Sequence, residues 1–349
     1  MRPPRTSAPA RPDGKTYVAP GVAHVTLAGQ PGCVPGCVQV SFVLMPQFTM
    51  LAFTSALEPL RVANQLVGRE LFRWNVYSAT GTAVPSSNGV AVMPDAALPP
   101  EPPEGYILVC GGVEPDRNTG PEIASWLRLA WRRGRTVGGL CTGAYALARA
   151  GILSGRKFTL HWENIPGFAE TFPDLAPVRQ LYCIDGRIVT CAGGVAAADL
   201  ALKIISDSFG AELGRMTMNM CLLSQRRPAD ENQIPSIAAR LGTRNEKVVA
   251  AIRYMEAGLA EGIELDDCAA AVGVTLRQLQ RLFRHHLGMT PVQCLNDMRL
   301  RHGRALLAET DMPVLEVALA CGYASRSSFS KGFSRKFGIS PQRFSTFGD

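Results

Sequence analysis

Long hydrophobic runs are missing from this 349-residue chain. No stretch approaches the roughly 18 uninterrupted apolar residues of a membrane span. The opening MRPPRTSAPARPDGK likewise has no apolar segment to act as a secretory signal. We therefore expect a cytoplasmic protein that does not enter a membrane. A third absence concerns metals. Ten cysteines are present, yet no second Cys or His pair stands at zinc-ligand spacing, so neither a metal nor another cofactor is expected and the thiols should be free. The composition, 46% hydrophobic and 19% charged, excludes extensive disorder over most of the chain, and the length predicts two domains.

The formal charge of +7 is unevenly distributed. Residues 1–36 hold 4 basic and 1 acidic residue, residues 37–234 hold 17 of each, and residues 235–349 hold 15 basic and 11 acidic. A neutral middle with a basic end points to a polyanion-binding module appended to something else. Residues 1–36, rich in Pro, Gly and Ala, read as a disordered tail. From Val38 the chain alternates β-rich runs (VQVSFVL, FRWNVYSA, YILVC, RTVGGL, RIVTC) with segments of helical period at Met50–Leu66, Glu122–Trp131 and Ala196–Phe209. Such alternation predicts a mainly parallel sheet covered by helices. Residues 94–105, PDAALPPEPPEG, read as a Pro-rich loop, and Asp185-Gly186 as a hairpin turn. A first domain over 37–223, a linker over 224–245 and a helical domain over 246–349 follow.

The helical domain contains a repeat. AVGVTLRQLQRLFRHHLGMTP (271–291) matches ACGYASRSSFSKGFSRKFGISP (320–341) in its Gly, Phe and Pro positions. Each copy reads as a short helix, a Gly turn, a hydroxyl N-cap (Thr275 or Ser325) and a second helix ending at Gly, which is a helix-turn-helix. The units span about 266–287 and 314–337. Neither second helix contains an acid: the first carries Arg277, Arg281 and Arg284, the second Arg326, Lys331, Arg335 and Lys336. Solvated faces usually mix signs, so two acid-free faces in matched units point to DNA. With the connecting segment NDMRLRHGRALLAET and the closing GISPQRF, residues 245–347 resemble the AraC/XylS family of bacterial transcription regulators. The resemblance implies binding to promoter DNA, with base contacts from Arg277, Gln280 and Arg281 in the first unit and Ser327, Ser330 and Lys331 in the second. Arg284 and Arg335 suit phosphate.

In the first domain, TVGGLCTGAYALARAG places Cys141 between a strand and a helix as Gly139-Leu140-Cys141-Thr142-Gly143. A tight Gly-x-nucleophile-x-Gly elbow needs small neighbours, and a helix N-terminus favours a thiolate. Cys110-Gly111-Gly112 ends another strand, where an N–H suits half of an oxyanion hole, and His161 is placed to act as a base. The pattern resembles the DJ-1/PfpI and class I glutamine amidotransferase superfamily over 38–222. That implies a flavodoxin-like α/β sandwich followed by the all-α domain, with Glu58 as the carboxylate beside the cysteine. Thr142 stands where protease-like members have His, and His161 is followed by Trp162-Glu163.

SALEPLRVANQL, SSNGV, CTGAYALARAG, LHWEN and CAGGVAAADLAL look like the regulators of this combined architecture that control catabolism of amino acids and quaternary amines, including arginine, glycine betaine and carnitine. That resemblance implies an activator without enzymatic activity, working with RNA polymerase, forming a homodimer and sensing a small-molecule effector through Cys141, Glu58, His161, Gly112 and Thr142. Other readings stay open at this stage: a cysteine amidase or glyoxalase-like enzyme, a Cys141 redox sensor, a structural His161, and a Glu58 that only pairs with Arg61. Trp74 and Trp162 are either core residues or part of an aromatic cage for a cation.

Overall fold

The computed structural model describes residues 36–233, 237, 241–259 and 263–345. The tail expected over 1–36 therefore lies outside the described residues but for Gly36, as does part of the 224–245 segment. The chain forms two compact units. Of the described residues, one comprises those up to His161 together with Pro177–Glu231; the other comprises Trp162–Ala176 and those from Asn232 onward.

The first unit is built on a seven-stranded sheet. In chain order its strands are β1 (Val38–Leu44), β2 (Phe72–Ser78), β5 (Ala96–Ala97), β6 (Tyr106–Cys110), β7 (Thr136–Leu140), β8 (Tyr182–Asp185) and β9 (Ile188–Cys191), with β3 (Val84–Pro85) and β4 (Ala91–Val92) forming a separate ribbon. The spatial order is β5-β2-β1-β6-β7-β9-β8, parallel except for the β8–β9 hairpin. Near-continuous apolar runs such as VQVSFVL suit parallel strands covered on both faces. Val40, Phe42, Leu44 and Leu108 join the core under helices α1 (Met50–Val67) and α6 (Ala196–Phe209). The intervening Val43, Ile107 and Val109 are equally buried and, by the two-residue period of a strand, face the opposite side. There α3 (Pro121–Arg132) and α4 (Ala144–Arg149) pack beside β7, with the single turn α2 (Pro115–Asn118) ahead of them.

From β1 the chain moves to β2 on one side and returns to β6 on the other. The carboxyl ends of β1 and β6 thus flank a topological switch point, the place where open α/β sheets bind ligands.

Three details differ from the sequence reading. The 94–105 segment contains a strand, because Ala96–Ala97 pairs with β2 and the Asp95 carboxylate accepts the Val76 N–H at 2.8 Å. The hairpin loop is Gly186-Arg187, since Asp185 pairs with Ile188; Gly186 takes the positive φ of +59°. The first part of the expected linker is docked on the α/β unit. Arg227 donates its N–H to Asp199 at 2.9 Å and its guanidinium to the same carboxylate at 2.9 and 2.7 Å, and Leu181 N–H reaches the Glu231 carbonyl at 3.0 Å.

The second unit holds the two expected helix-turn-helix units: Leu265–Ala271 with Leu276–Leu287, and Val314–Ala320 with Arg326–Phe337. The connecting helix Pro291–Glu309 joins them and serves two cores. Its Cys294 and Leu295 pack with Leu279 and Phe283 of the first, and its Leu300 and Leu306 with Phe329 and Phe333 of the second. Gly303 makes the second packing possible, because a Cβ there would sit 2.6 Å from the Phe329 ring. Helix α5 (Ile165–Thr171), from the segment inserted between His161 and Pro177, also packs on the connecting helix. Among the described residues no helix is long and apolar enough to cross a membrane.

Candidate functional site

Cys141 follows β7 directly and adopts φ +59°, the left-handed region that L-residues usually avoid. Main-chain bonds hold it there. Its N–H donates to the Cys191 carbonyl at 3.1 Å, and its carbonyl accepts the His161 N–H at 3.3 Å. Small neighbours are required: a Cβ on Gly193 would lie 2.6 Å from that of Cys141. The thiol is almost fully buried and accepts a hydrogen bond from the Thr49 hydroxyl at 3.5 Å.

The loops after β1 and β6 are stitched to this elbow. Thr49 N–H donates to Gly111 O at 3.0 Å, Val113 N–H to Gln47 O at 3.1 Å, and the buried Thr142 hydroxyl to Gly112 O at 2.8 Å. Gly111 uses its own N–H on the Leu140 carbonyl at 3.2 Å. The N–H groups of Gly112 and Thr142, in contrast, meet no acceptor among the described residues. The sequence reading of one oxyanion-type donor after β6 thus falls on Gly112 rather than Gly111, and Thr142 supplies a second. Two such N–H groups suit a negatively charged oxygen.

Cys141, Thr142, Gly112 and the main chain of His161 are therefore brought together, whereas Glu58 is not. It lies nine residues beyond Thr49 on α1, about 13 Å along the axis at 1.5 Å per residue. There it is exposed, pairs with Arg61 at 2.7 Å and neighbours Cys221 rather than Cys141. Trp74 packs against the sheet core, and Trp162 belongs to the segment grouped with the helical unit. Cys110 and Cys191 flank the elbow as buried thiols. Burial pushes Cys191 up to about 12 and Cys110 well above its ordinary value, so both remain protonated at neutral pH. Sequence reasoning missed Thr49 and Gln47, although their place just past a strand's carboxyl end was a usable signal. Among the described residues no cluster of His, Cys, Asp and Glu is arranged to hold a metal.

The second candidate surface lies on the two reading helices. Thr275 caps the first, accepting from Gln278 N–H at 3.3 Å while the Gln278 side chain accepts the Thr275 N–H at 2.8 Å, and Gly288 ends it at φ +67°. Ser325 caps the second, which Gly338 ends at φ +74°. With Leu279 and Phe283 buried, Arg277, Arg281 and Arg284 are exposed and Gln280 is half-buried. With Phe329 and Phe333 buried, Ser327, Lys331 and Arg335 are exposed and Ser330 is half-buried. All eight residues expected to meet DNA thus lie off the buried stripe. Lys336 does not join them: it pairs with Asp297 of the connecting helix.

Residues 268–346 match the helix-turn-helix domain model and residues 39–207 the DJ-1/PfpI family model. The HTH-type transcriptional regulator CdhR of Pseudomonas aeruginosa is 42% identical over 302 residues, 86% of this chain and 90% of its own. GbdR of the same species is 39% identical over 303 residues, 87% of this chain and 83% of its own. GlxA of Rhizobium meliloti is 35% identical over 306 residues, 87% of this chain and 94% of its own; both are likewise named HTH-type transcriptional regulators. The crystal structure of an AraC family regulator from Pseudomonas putida covers 53% of this chain and 99% of its own at 26% identity and a TM-score of 0.49. With the sheet, the elbow and the duplicated reading helices in place, the chain belongs to the AraC-type transcriptional regulators that carry an N-terminal DJ-1/PfpI domain.

Proposed function

We propose that this DNA-binding transcriptional regulator is a cytoplasmic, homodimeric activator. In this reading the α/β unit binds a small amino acid or quaternary amine at the switch-point crevice, and the bound state alters promoter occupancy and the contact with RNA polymerase. The observation that carries it is the elbow itself. Strained backbone, a buried thiol and two open N–H groups are kept, while Glu58, the carboxylate expected beside the thiol, is exposed and pairs with Arg61 instead. A strained site with incomplete catalytic machinery is economical as a receptor. Coupling follows the chain: it passes between the two units at His161–Trp162, at Ala176–Pro177 and at Glu231–Asn232, and the first crossing begins at the residue bonded to the Cys141 carbonyl.

Fluorescence anisotropy of promoter DNA, titrated with and without arginine, glycine betaine and carnitine, tests the proposal. One of them is expected to change the apparent Kd; no change in occupancy or transcription with any small metabolite removes the sensor role. The positive φ at Cys141 is also what a cysteine nucleophile requires, so a cysteine amidase is the second reading. It requires turnover that disappears in Cys141→Ala, whereas the receptor keeps DNA binding in that variant.

A further inference from the structure

We infer that Gln47 is an effector-reading residue and that the group it reads, with the Gly112 and Thr142 N–H groups, is a carboxylate; this rests on the sensor reading above. Among the described non-glycine residues only Gln47, Glu114, Cys141 and Leu222 have positive φ. The first three lie at the carboxyl end of the sheet. Gln47 has φ +59°, where Gly or Asn is the economical choice.

Its main chain is fully engaged. The N–H donates to Pro85 O at 2.8 Å, and the carbonyl accepts Val113 N–H at 3.1 Å in the loop that carries Gly112. A Cβ on Gly112 would overlap that carbonyl, so the two loops touch directly. The side chain is half-buried, yet its carboxamide has no hydrogen-bond partner among the described residues. Gly here would relieve the positive φ and forfeit no hydrogen bond that the described residues make, so the fold itself does not call for Gln.

The donor count specifies the ligand group. Gly112 and Thr142, whose loops are joined by the 2.8 Å bond from the Thr142 hydroxyl to Gly112 O, offer two fixed N–H donors, and the Gln47 amide, which carries two N–H donors and one acceptor oxygen, can turn its NH2 group to the same ligand. The two acids of the segment after Gly112 are paired, Glu114 with Arg117 at 3.6 Å and Asp116 with Arg149 at 2.6 Å. A site whose fixed main-chain groups only donate fits a group that only accepts, which a carboxylate does and an ammonium does not.

Isothermal titration of the full chain with two matched pairs tests this: glycine betaine against choline, and L-arginine against agmatine, the second member of each lacking the carboxylate. The carboxylate member of at least one pair is expected to bind at least tenfold more tightly than its partner. Gln47→Gly should weaken that binding about ten- to hundredfold, the range for hydrogen bonds to a charged group, while leaving Tm unchanged or raised because Gly relieves the positive φ. Gln47→Glu keeps the side chain's size but replaces donors with a second negative charge, and should abolish binding of the carboxylate member. Equal binding within both pairs, no binding of any carboxylate member to the native chain, or native affinity in either variant overturns the assignment. The sensor reading fails separately: if a carboxylate binds through Gln47 but promoter occupancy and transcription do not respond, the assignment stands and the sensing role falls. If a ligand without a carboxylate changes occupancy through this domain, the reverse holds.

Discussion

In the first reading helix Arg277, Arg281 and Arg284 are exposed, and no acceptor among the described residues takes their guanidinium groups. The second has four cations, of which Arg326 bonds Gln342 at 2.9 Å and Lys336 pairs with Asp297. Its interior differs as well: Phe329, Phe333 and Phe337 stack in series with centroids 5.5 and 4.6 Å apart, and Phe344 lies 5.7 Å from Phe333. One duplicated plan has thus been turned to two ends. The first copy leaves its guanidinium groups without an acceptor among the described residues and has a reciprocal cap, whereas the second directs part of its charge inward and carries the larger aromatic core. Specificity is expected to come chiefly from the first copy, and anchoring from the second.

The largest test asks whether the copies are separable. Phe283→Ala and Phe333→Ala each empty a fully buried site, at an expected cost of about 3–5 kcal/mol. Hydrogen exchange should show weakened protection over residues 246–287 in the first variant and over 314–337 in the second. Weakening over both regions in either variant would mean that the connecting helix fuses the copies into one cooperative body. Next in size is Arg281→Ala, expected to cost about 1–3 kcal/mol at the cognate site and little on random DNA. The same substitution at Lys331 should cost less at the cognate site. Equal losses at the two positions would remove the division of labour, and equal weakening on cognate and random DNA would make Arg281 a phosphate contact.

Acid should distinguish the copies further. His302 of the connecting helix lies on the half that serves the second core, and burial holds its pKa below the ordinary 6.5, with Glu170 acting in the opposite direction. A depressed histidine favours the folded state while neutral. Its contribution is therefore complete above about pH 6.5 and is lost as the pH falls from there through the folded-state value, with a slope of at most about 1.4 kcal/mol per pH unit. Melts at pH 7.5 and 5.5 should show a smaller acid loss in His302→Gln than in the native chain. An identical loss in both would place the acid sensitivity elsewhere.

Much of the fold is legible in residue pattern, and the failures have physical causes. The sheet can be read because apolar runs flanked by helical periods have few other solutions, and the duplicated units because Gly, hydroxyl caps and Phe recur in register. Helical period assigns a face, however, and not a position along the sheet. The family resemblance implies Glu58 beside the thiol, whereas the helix begins at Met50 and its leading residue, Thr49, meets Cys141 instead. The bond between Arg227 and Asp199 spans 28 residues and has no local signature, so a docked segment reads as linker. Gln47 is marked in sequence only by its place just past a strand's carboxyl end, because nothing about glutamine announces a left-handed backbone.

Salt dependence gives the smallest effect and the finest test of the comparison. Removing a single phosphate contact should flatten the slope of log K against log salt by about 0.9. Arg284→Gln and Arg335→Gln, both at exposed positions, are each expected to do so. Lys336 is different: Asp297 holds it and also accepts from Arg301 Nε at 2.8 Å, so the connecting helix clamps the second reading helix through this carboxylate. Lys336→Gln should leave the slope unchanged and cost a fraction of a kcal/mol in stability, as partly exposed pairs do. If instead Lys336→Gln flattens the slope as much as Arg335→Gln, Lys336 exchanges Asp297 for phosphate on binding, and the second copy reserves less of its charge for its own fold than the free protein implies.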